Sequence, residues 1–253
     1  MSEWVALLIA MAAVCAVVLA VVVLRQRRVG EDDDPSETPD VIEYMTMMIG
    51  VVYAIVLGLA IAGVWEAMGS AQADTLREAQ SLHEVSARAE VLPPDFRDKV
   101  RSQVDAYVSY VVNTEWDYME QHEEISSEGT ELLAQLRRTV TERAPENELE
   151  NQAYQPMVER IATADEARNS RGQSVGPTMP GVVWFGLVTG AAVTVGMLFA
   201  LQIRRSAREL LLAAAFSALI GFLLFLIWDF DNPFGRGISV TAQPFIDLFP
   251  GLS

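Results

Sequence analysis

Four long apolar runs, with a large polar insert between the second and third, decide what this chain can fold into. The runs cover residues 4–24, 44–65, 181–203 and 210–228, and none contains a Lys, Arg, Asp or Glu. A helix rises about 1.5 Å per residue and the hydrocarbon core is about 30 Å thick, so about 20 residues cross it. Lipid offers the backbone no hydrogen-bond partner, so such runs cross as helices. The expectation is an all-α membrane protein with four transmembrane helices in two hairpins and a helical soluble domain between spans two and three. The division reads as 1–43, the first span and a charged loop; 44–65, the second span; 66–178, an acidic helical domain; 179–230, the third and fourth spans; and 231–253, a C-terminal segment.

The net charge of −16 coexists with 51% hydrophobic residues because the acids lie outside the spans. Residues 66–178 hold 22 Asp or Glu against 11 Lys or Arg, a net of −11. That surface argues against nucleic acid, which needs a basic patch, and against docking on anionic lipid, which needs basic clusters. Cys15, the single cysteine, lies in the first run and reads as a small packing residue. The N-terminus has no basic region ahead of its apolar run, so the run reads as a retained anchor rather than a cleaved leader.

Periodicity sets out the insert. The second span has no breaker at its far end, and its pattern continues through Leu76, Ala79, Leu82, Val85 and Ala89. One helix of about 45 residues is predicted, stopping at Leu92-Pro93-Pro94, where the prolines forbid continuation. A second helix starts at Pro94 and ends near Glu124, with Phe96, Val100, Val104, Tyr107, Val108 and Val111 on one face. A third is predicted from about Glu128 to Arg143 and a fourth from about Glu148 to Arg171, with Pro156 inside it. Ser126 falls between helices and is taken as a solvent-accessible position.

Small residues recur every fourth position in the spans: Gly50, Ala54, Gly58 and Ala62 in the second, Gly186, Gly190 and Thr194 in the third, Ala213, Ser217 and Gly221 in the fourth. Such faces let helices approach closely in lipid. Packing within the chain is one reading of the Gly50–Ala62 stripe; a subunit interface or an apolar pore neck is the other. Carboxylates collect at span ends: Glu43, Glu66, Asp229 and Asp231. In a symmetric oligomer each becomes a negative ring that draws cations; alone, each is a solvated helix end or, for Asp231, a turn cap. No span carries an ionisable residue, which speaks against pumps and coupled transporters. His83 and His122 stand alone, so no zinc site is expected, and no catalytic arrangement or phosphate loop appears. Neither an enzyme nor a cofactor is expected. Trp4, Trp65, Trp184 and Trp228 sit at span ends as interfacial anchors, whereas Trp116 reads as packing within the insert.

Arginines set an orientation. Arg25, Arg27, Arg28, Arg204, Arg205 and Arg208 flank the two short loops, against Arg77, Arg168, Arg171 and Arg236 on the other side. The positive-inside rule then puts the insert and both termini outside.

Several of these pieces occur together in a known order. Trp65-Glu66, Glu78-Ala79, Leu82, Leu92-Pro93, Tyr107, Glu115-Trp116, Arg168 with Arg171, and Pro180 ahead of Trp184 are followed by Asp231-Asn232-Pro233-Phe234-Gly235-Arg236-Gly237, Val240 and Phe245. From about residue 42 to 246 the chain resembles the bestrophin-like family of bacterial multi-pass membrane proteins, a group of unknown function. More distantly it resembles the bestrophin ion channels, which share the helical insert and an Asn-Pro-Phe-Gly turn. That resemblance implies a homo-oligomer, as a pentamer, in the bacterial plasma membrane, passing inorganic ions through a neck lined by the second span, here 44–65. It also implies a cytoplasmic insert, opposite to the arginine count. The acidic run that clasps calcium in bestrophins is absent after residue 235, so no calcium gate is expected. The leading expectation is a passive channel or pore that prefers cations; the alternative is a non-conducting membrane scaffold or sensor.

Overall fold

The computed structural model describes residues 40–200 and 207–251, with side chains over 44–197 and 211–251. The first span, the loop 25–39, Cys15 and the side chains of Glu43, Arg204, Arg205 and Arg208 lie outside the described residues. Every regular element among those described is a helix.

Helix α1 (Asp40–Arg88) runs unbroken for 49 residues. A single 3₁₀ turn (Ala89–Val91) follows, and Leu92 then turns extended ahead of Pro93. The expected long helix and its stop are therefore both present. The insert continues with α2 (Pro94–Tyr110), a π turn (Val111–Glu115) and α3 (Trp116–His122), which Glu123 ends in the left-handed region at φ 55°. The single helix expected here is thus interrupted. Helix α4 (Ser127–Thr141) starts at Ser126, whose hydroxyl accepts from Gly129 N at 3.1 Å. Helix α5 (Glu148–Gln173) is capped by Asn147, which accepts from Glu150 N at 2.9 Å, while Glu150 reaches back to Glu146 N at 3.0 Å. That reciprocal cap satisfies donors a bare helix start would leave open. Helices α6 (Gly181–Ala200), α7 (Ala207–Phe230) and the short α8 (Gln243–Leu248) complete the described chain.

The chain divides into two compact units. The apolar unit holds residues up to Trp65 together with Met179–Asp229. Among the described helices, two are long and apolar enough to cross a membrane, Tyr44–Val91 and Leu211–Phe230, and a third apolar stretch, Gly181–Met197, is shorter. Tyr53, Leu57 and Val64 of α1, Leu187, Ala191 and Thr194 of α6, and Ala213, Ser217, Ile220 and Ile227 of α7 form its buried seams. The Tyr53 hydroxyl donates to the Leu187 carbonyl at 3.0 Å, and a side chain on Gly190 would strike the Tyr53 ring at 2.6 Å. Gly190, Thr194, Ala213 and Ser217 therefore serve packing within the chain, whereas Gly186 is exposed with nothing within 4 Å of a built Cβ.

The polar unit holds Glu66–Thr178 together with Phe230–Ser253. The C-terminal segment 231–253, separate in the sequence reading, joins the insert: Phe245 and Phe249 enter one core with Leu82, Val104, Leu136 and Ile161. Phe234 and Val240 form a second cluster with Ala71 and Met119.

Candidate functional site

Two features of the protomer bear on function: an ionic core in the polar unit and a stripe of small residues on α1.

The buried stripe of α1 within the polar unit reads Ala71, Thr75, Glu78, Leu82, Val85, Ala89, at spacings of four and three. That of α5 reads Met157, Ile161, Ala164, Arg168, Arg171, with the same spacings. Both seams thus carry charge into the core: Glu78, Arg171 and Glu115 are fully buried and Arg168 is 1% exposed. The π turn supplies Glu115. Eight residues of regular helix would swing it about 80° past the line of Tyr107, and the extra residue of the π turn takes up that excess. Such turns are often retained where a side chain must be re-aimed.

The resulting network is dense. Arg168 forks onto Glu115, Nη1 to Oε2 at 2.5 Å and Nη2 to Oε1 at 2.6 Å, and donates to the Ser126 carbonyl at 2.9 Å and Tyr107 Oη at 3.1 Å. Arg171 forks onto Glu78 at 2.8 and 3.1 Å and reaches Glu115 Oε2 at 3.0 Å. The Tyr107 hydroxyl donates to Glu78, and Ser126 donates to Glu115 from N at 3.1 Å and from Oγ at 2.8 Å. The Trp116 ring covers the Arg171 guanidinium at 5.1 Å. Two carboxylates meet two guanidiniums, so the cluster is neutral. Bidentate forks are the geometry in which buried pairs recover most of their desolvation cost.

Burial pushes the Glu115 carboxyl up, but the hydrogen bond from Arg168, the charges of Arg171 and Arg168 and the bond from Ser126 outweigh it and hold it at about 2. Burial drives the Tyr107 hydroxyl well above its usual range, and the Glu78 charge drives it further. Burial acts to lower both arginines, yet Glu115 for Arg168 and Glu78 for Arg171 raise them above the ordinary value. No group shifted in this cluster changes charge near neutral pH. The arrangement fastens α1, the π turn, the start of α4 and α5 together. Gly129 is required beside it, because a Cβ there would lie 2.5 Å from Arg168 Nη2 and 2.8 Å from Glu115 Oε1.

The sequence reading held these residues only as family marks, and counted Arg168 and Arg171 as charges near the spans. Buried and paired, they are not exposed juxtamembrane charges. The signal that could have found the core is a charged residue on an apolar seam. Ser126, taken as accessible, is 5% exposed because it caps α4 and binds Glu115.

The turn after α7 is also structural. Asn232 Oδ1 accepts from Gly235 N at 3.1 Å, and a Cβ on Gly235 would sit 2.6 Å from the Asn232 amide. Val240 N donates to the Pro233 carbonyl at 2.8 Å, and Trp116 Nε1 donates to the Val240 carbonyl at 3.2 Å. Phe234 packs on the Trp116 edge at 5.9 Å. Gly237 is exposed at the end of this turn. Asp231 accepts from Thr178 N and Oγ1, both at 3.0 Å, which ties the segment ahead of α6 to the end of α7. Asp229 and Asp231 are each 2% exposed, so this protomer does not present them as charges at an open mouth. Glu66 is exposed, and the Glu43 side chain lies outside the described residues.

On α1, Gly50, Ala54, Gly58 and Ala62 each follow one residue after the buried face that holds Tyr53 and Leu57. One residue is a turn of about 100°, which aims the stripe away from that face. Ala54, Gly58 and Ala62 are exposed and Gly50 is half-buried. A Cβ on Gly50 or Gly58 would meet nothing within 4 Å. Among the described residues, then, this stripe is not used for packing. Nor does any group of three or more His, Cys, Asp or Glu among them form a metal site.

The architecture is shared with solved structures. The chain matches the crystal structure of a membrane protein with a TM-score of 0.67 at 10% identity, covering 98% of this chain and 99% of that one. It matches a bacterial bestrophin homologue from Klebsiella pneumoniae with a TM-score of 0.68 at 11% identity, covering 96% and 98%. At such identities the likeness is one of fold. No curated protein matches the chain. The family model described as Bestrophin-like domain matches residues 12–245, nearly the whole length, and the chain belongs to the bestrophin-like family.

Proposed function

We propose that this chain is one subunit of a passive, homo-oligomeric ion channel in the bacterial plasma membrane, with α1 bounding the pore. The observation that carries the reading is the Gly50–Ala62 stripe: small and uncharged on an apolar helix whose other face holds buried Tyr53 and Leu57, with Ala54, Gly58 and Ala62 exposed among the described residues. Membership of the bestrophin-like family supports it. Cations are preferred, because the insert carries a net −11 and Glu66 is exposed at the end of the span. Calcium does not gate it: Asp231 is engaged by Thr178 and Asn232 by Gly235, which leaves the turn no open carboxylate set. The protein is not an enzyme.

Purified protein in liposomes is expected to pass K⁺ or Na⁺ faster than Cl⁻. An oligomer that passes none of the three would leave the second reading, a scaffold or sensor, which the density of exposed acids on the insert favours. With Arg168 and Arg171 buried, the remaining arginine bias favours an insert outside the cytoplasm. A cysteine at exposed Ser127, with Cys15 removed, should react with an impermeant maleimide in intact cells. Labelling only after lysis would reverse that orientation.

A further inference from the structure

The apolar part of α1 carries three neighbouring rows, each one residue and about 100° on from the last. Tyr53 and Leu57 form a buried row. Ala54 and Gly58 follow them on the small row, and both are exposed. Ile55 and Leu59 follow on a bulky row, with Val51 one turn earlier, and all three are exposed. The two exposed rows would make different linings. Glycine and alanine leave an axis open, whereas valine, isoleucine and leucine fill it, and a hydrophobic constriction closes a pore by dewetting. The rotation of α1 about its own axis therefore decides what a pore along it looks like.

Tyr53 fixes that rotation. Its hydroxyl donates to the Leu187 carbonyl at 3.0 Å. Its ring lies where a Gly190 side chain would begin, Cδ2 at 2.6 Å and Cε2 at 2.7 Å from a built Cβ. Leu187 and Gly190 are one turn of α6 apart, so the ring lies along that turn and is held at both ends. Leu57 and Val64 continue the buried row, but their aliphatic contacts are non-directional. A phenol seated on a glycine and bonded through its hydroxyl gives up both contacts when the helix turns, and a buried hydroxyl without a partner costs free energy.

We infer that Tyr53 is a positioning residue of the pore, holding α1 with its small row toward the axis and its bulky row aside. The inference rests on the oligomeric pore proposed above and adds the residue that sets its lining. Small faces in lipid are ordinarily taken up in helix contacts; the seat of Tyr53 on α6 keeps this one out of them. The latch lies within one chain, so every copy around a ring carries it in the same orientation.

The test uses the full chain with Cys15→Ser, carrying either Ala54→Cys on the small row or Ile55→Cys on the bulky row. A charged methanethiosulfonate reagent, which reaches thiols through water and not through lipid, should modify Ala54→Cys several-fold faster than Ile55→Cys. Adding Tyr53→Phe keeps the ring and removes the bond. It should narrow that ratio by about two- to tenfold, the span of one hydrogen bond, in particles of unchanged mass. Gly190→Ala, which drives the ring off its seat, should narrow it further. Equal rates at the two rows in the Tyr53 chain, or a ratio that neither substitution changes, would overturn the latch and leave the pore standing. Reaction at neither position, together with no K⁺ efflux from liposomes, would overturn both.

Discussion

The two units handle their surfaces in opposite ways. The polar unit takes four formal charges, Glu78, Glu115, Arg168 and Arg171, to the bottom of its core. The apolar unit leaves Val182 83%, Phe185 74% and Leu59 70% exposed, and among its described residues Asp229, at its boundary with the polar unit in sequence, is the one buried acid. Water dictates the first arrangement: with apolar faces of several helices already buried, paired charges can specify register among them. Lipid dictates the second, because apolar side chains cost nothing at the outside of a bundle, and association relies on small residues and close packing. Mutations should therefore act differently in the two units.

Glu115→Gln should have the largest effect. It leaves Arg168 buried against a neutral amide, and breaking one partner of a buried pair costs about 3–5 kcal/mol. Loss of cooperative unfolding, followed by Trp fluorescence or circular dichroism, would show it. An effect within error would mean that the ionic core does not organise the insert. Acid should act on the same residue. Its folded value of about 2 lies below the ordinary 4.5, so its contribution is complete above pH 4.5 and is lost as pH falls toward 2. The corresponding stability is about 3 kcal/mol. A melting temperature flat over that range would contradict the network as drawn.

Glycine replacements sharpen the contrast. Gly129→Ala in the polar unit and Gly190→Ala in the apolar unit each place a methyl against a fixed neighbour, Arg168 or Tyr53. Each should cost about 1–3 kcal/mol by overpacking. Gly58→Ala meets nothing within 4 Å. It should leave unfolding unchanged or raise stability by up to about 1 kcal/mol, since Ala is the better helix former. A large loss at Gly58 would place the stripe in a contact within the chain.

Much of this could be read from the sequence. The α1 stop followed from Pro93 and Pro94, and α4 and α5 begin at Ser127 and Glu148, within a residue of the expected starts. The π turn could not be read, because one extra residue among Val111, Val112, Asn113, Thr114 and Glu115 leaves no mark in a pattern that already alternates threes and fours. The docking of Phe245 and Phe249 escaped as well, since a short segment with scattered aromatics has no period to report its face. The ionic core was half visible: Glu78 and Arg168 lie four residues from apolar Leu82 and Ala164, but a charge at that spacing names its partner only when the other helices are in place. The stripe from Gly50 to Ala62 was legible as spacing, while its exposure needed the packing of Tyr53 and Leu57 to show which way it faces.

Conduction is the most direct test. Wild-type protein and Gly58→Leu, both confirmed as oligomers of equal mass, are placed in liposomes and K⁺ efflux is followed. The account predicts efflux from the wild type and a marked reduction when a bulky side chain occupies the stripe. Absence of efflux from the wild type, or equal efflux from both, would contradict a pore bounded by α1.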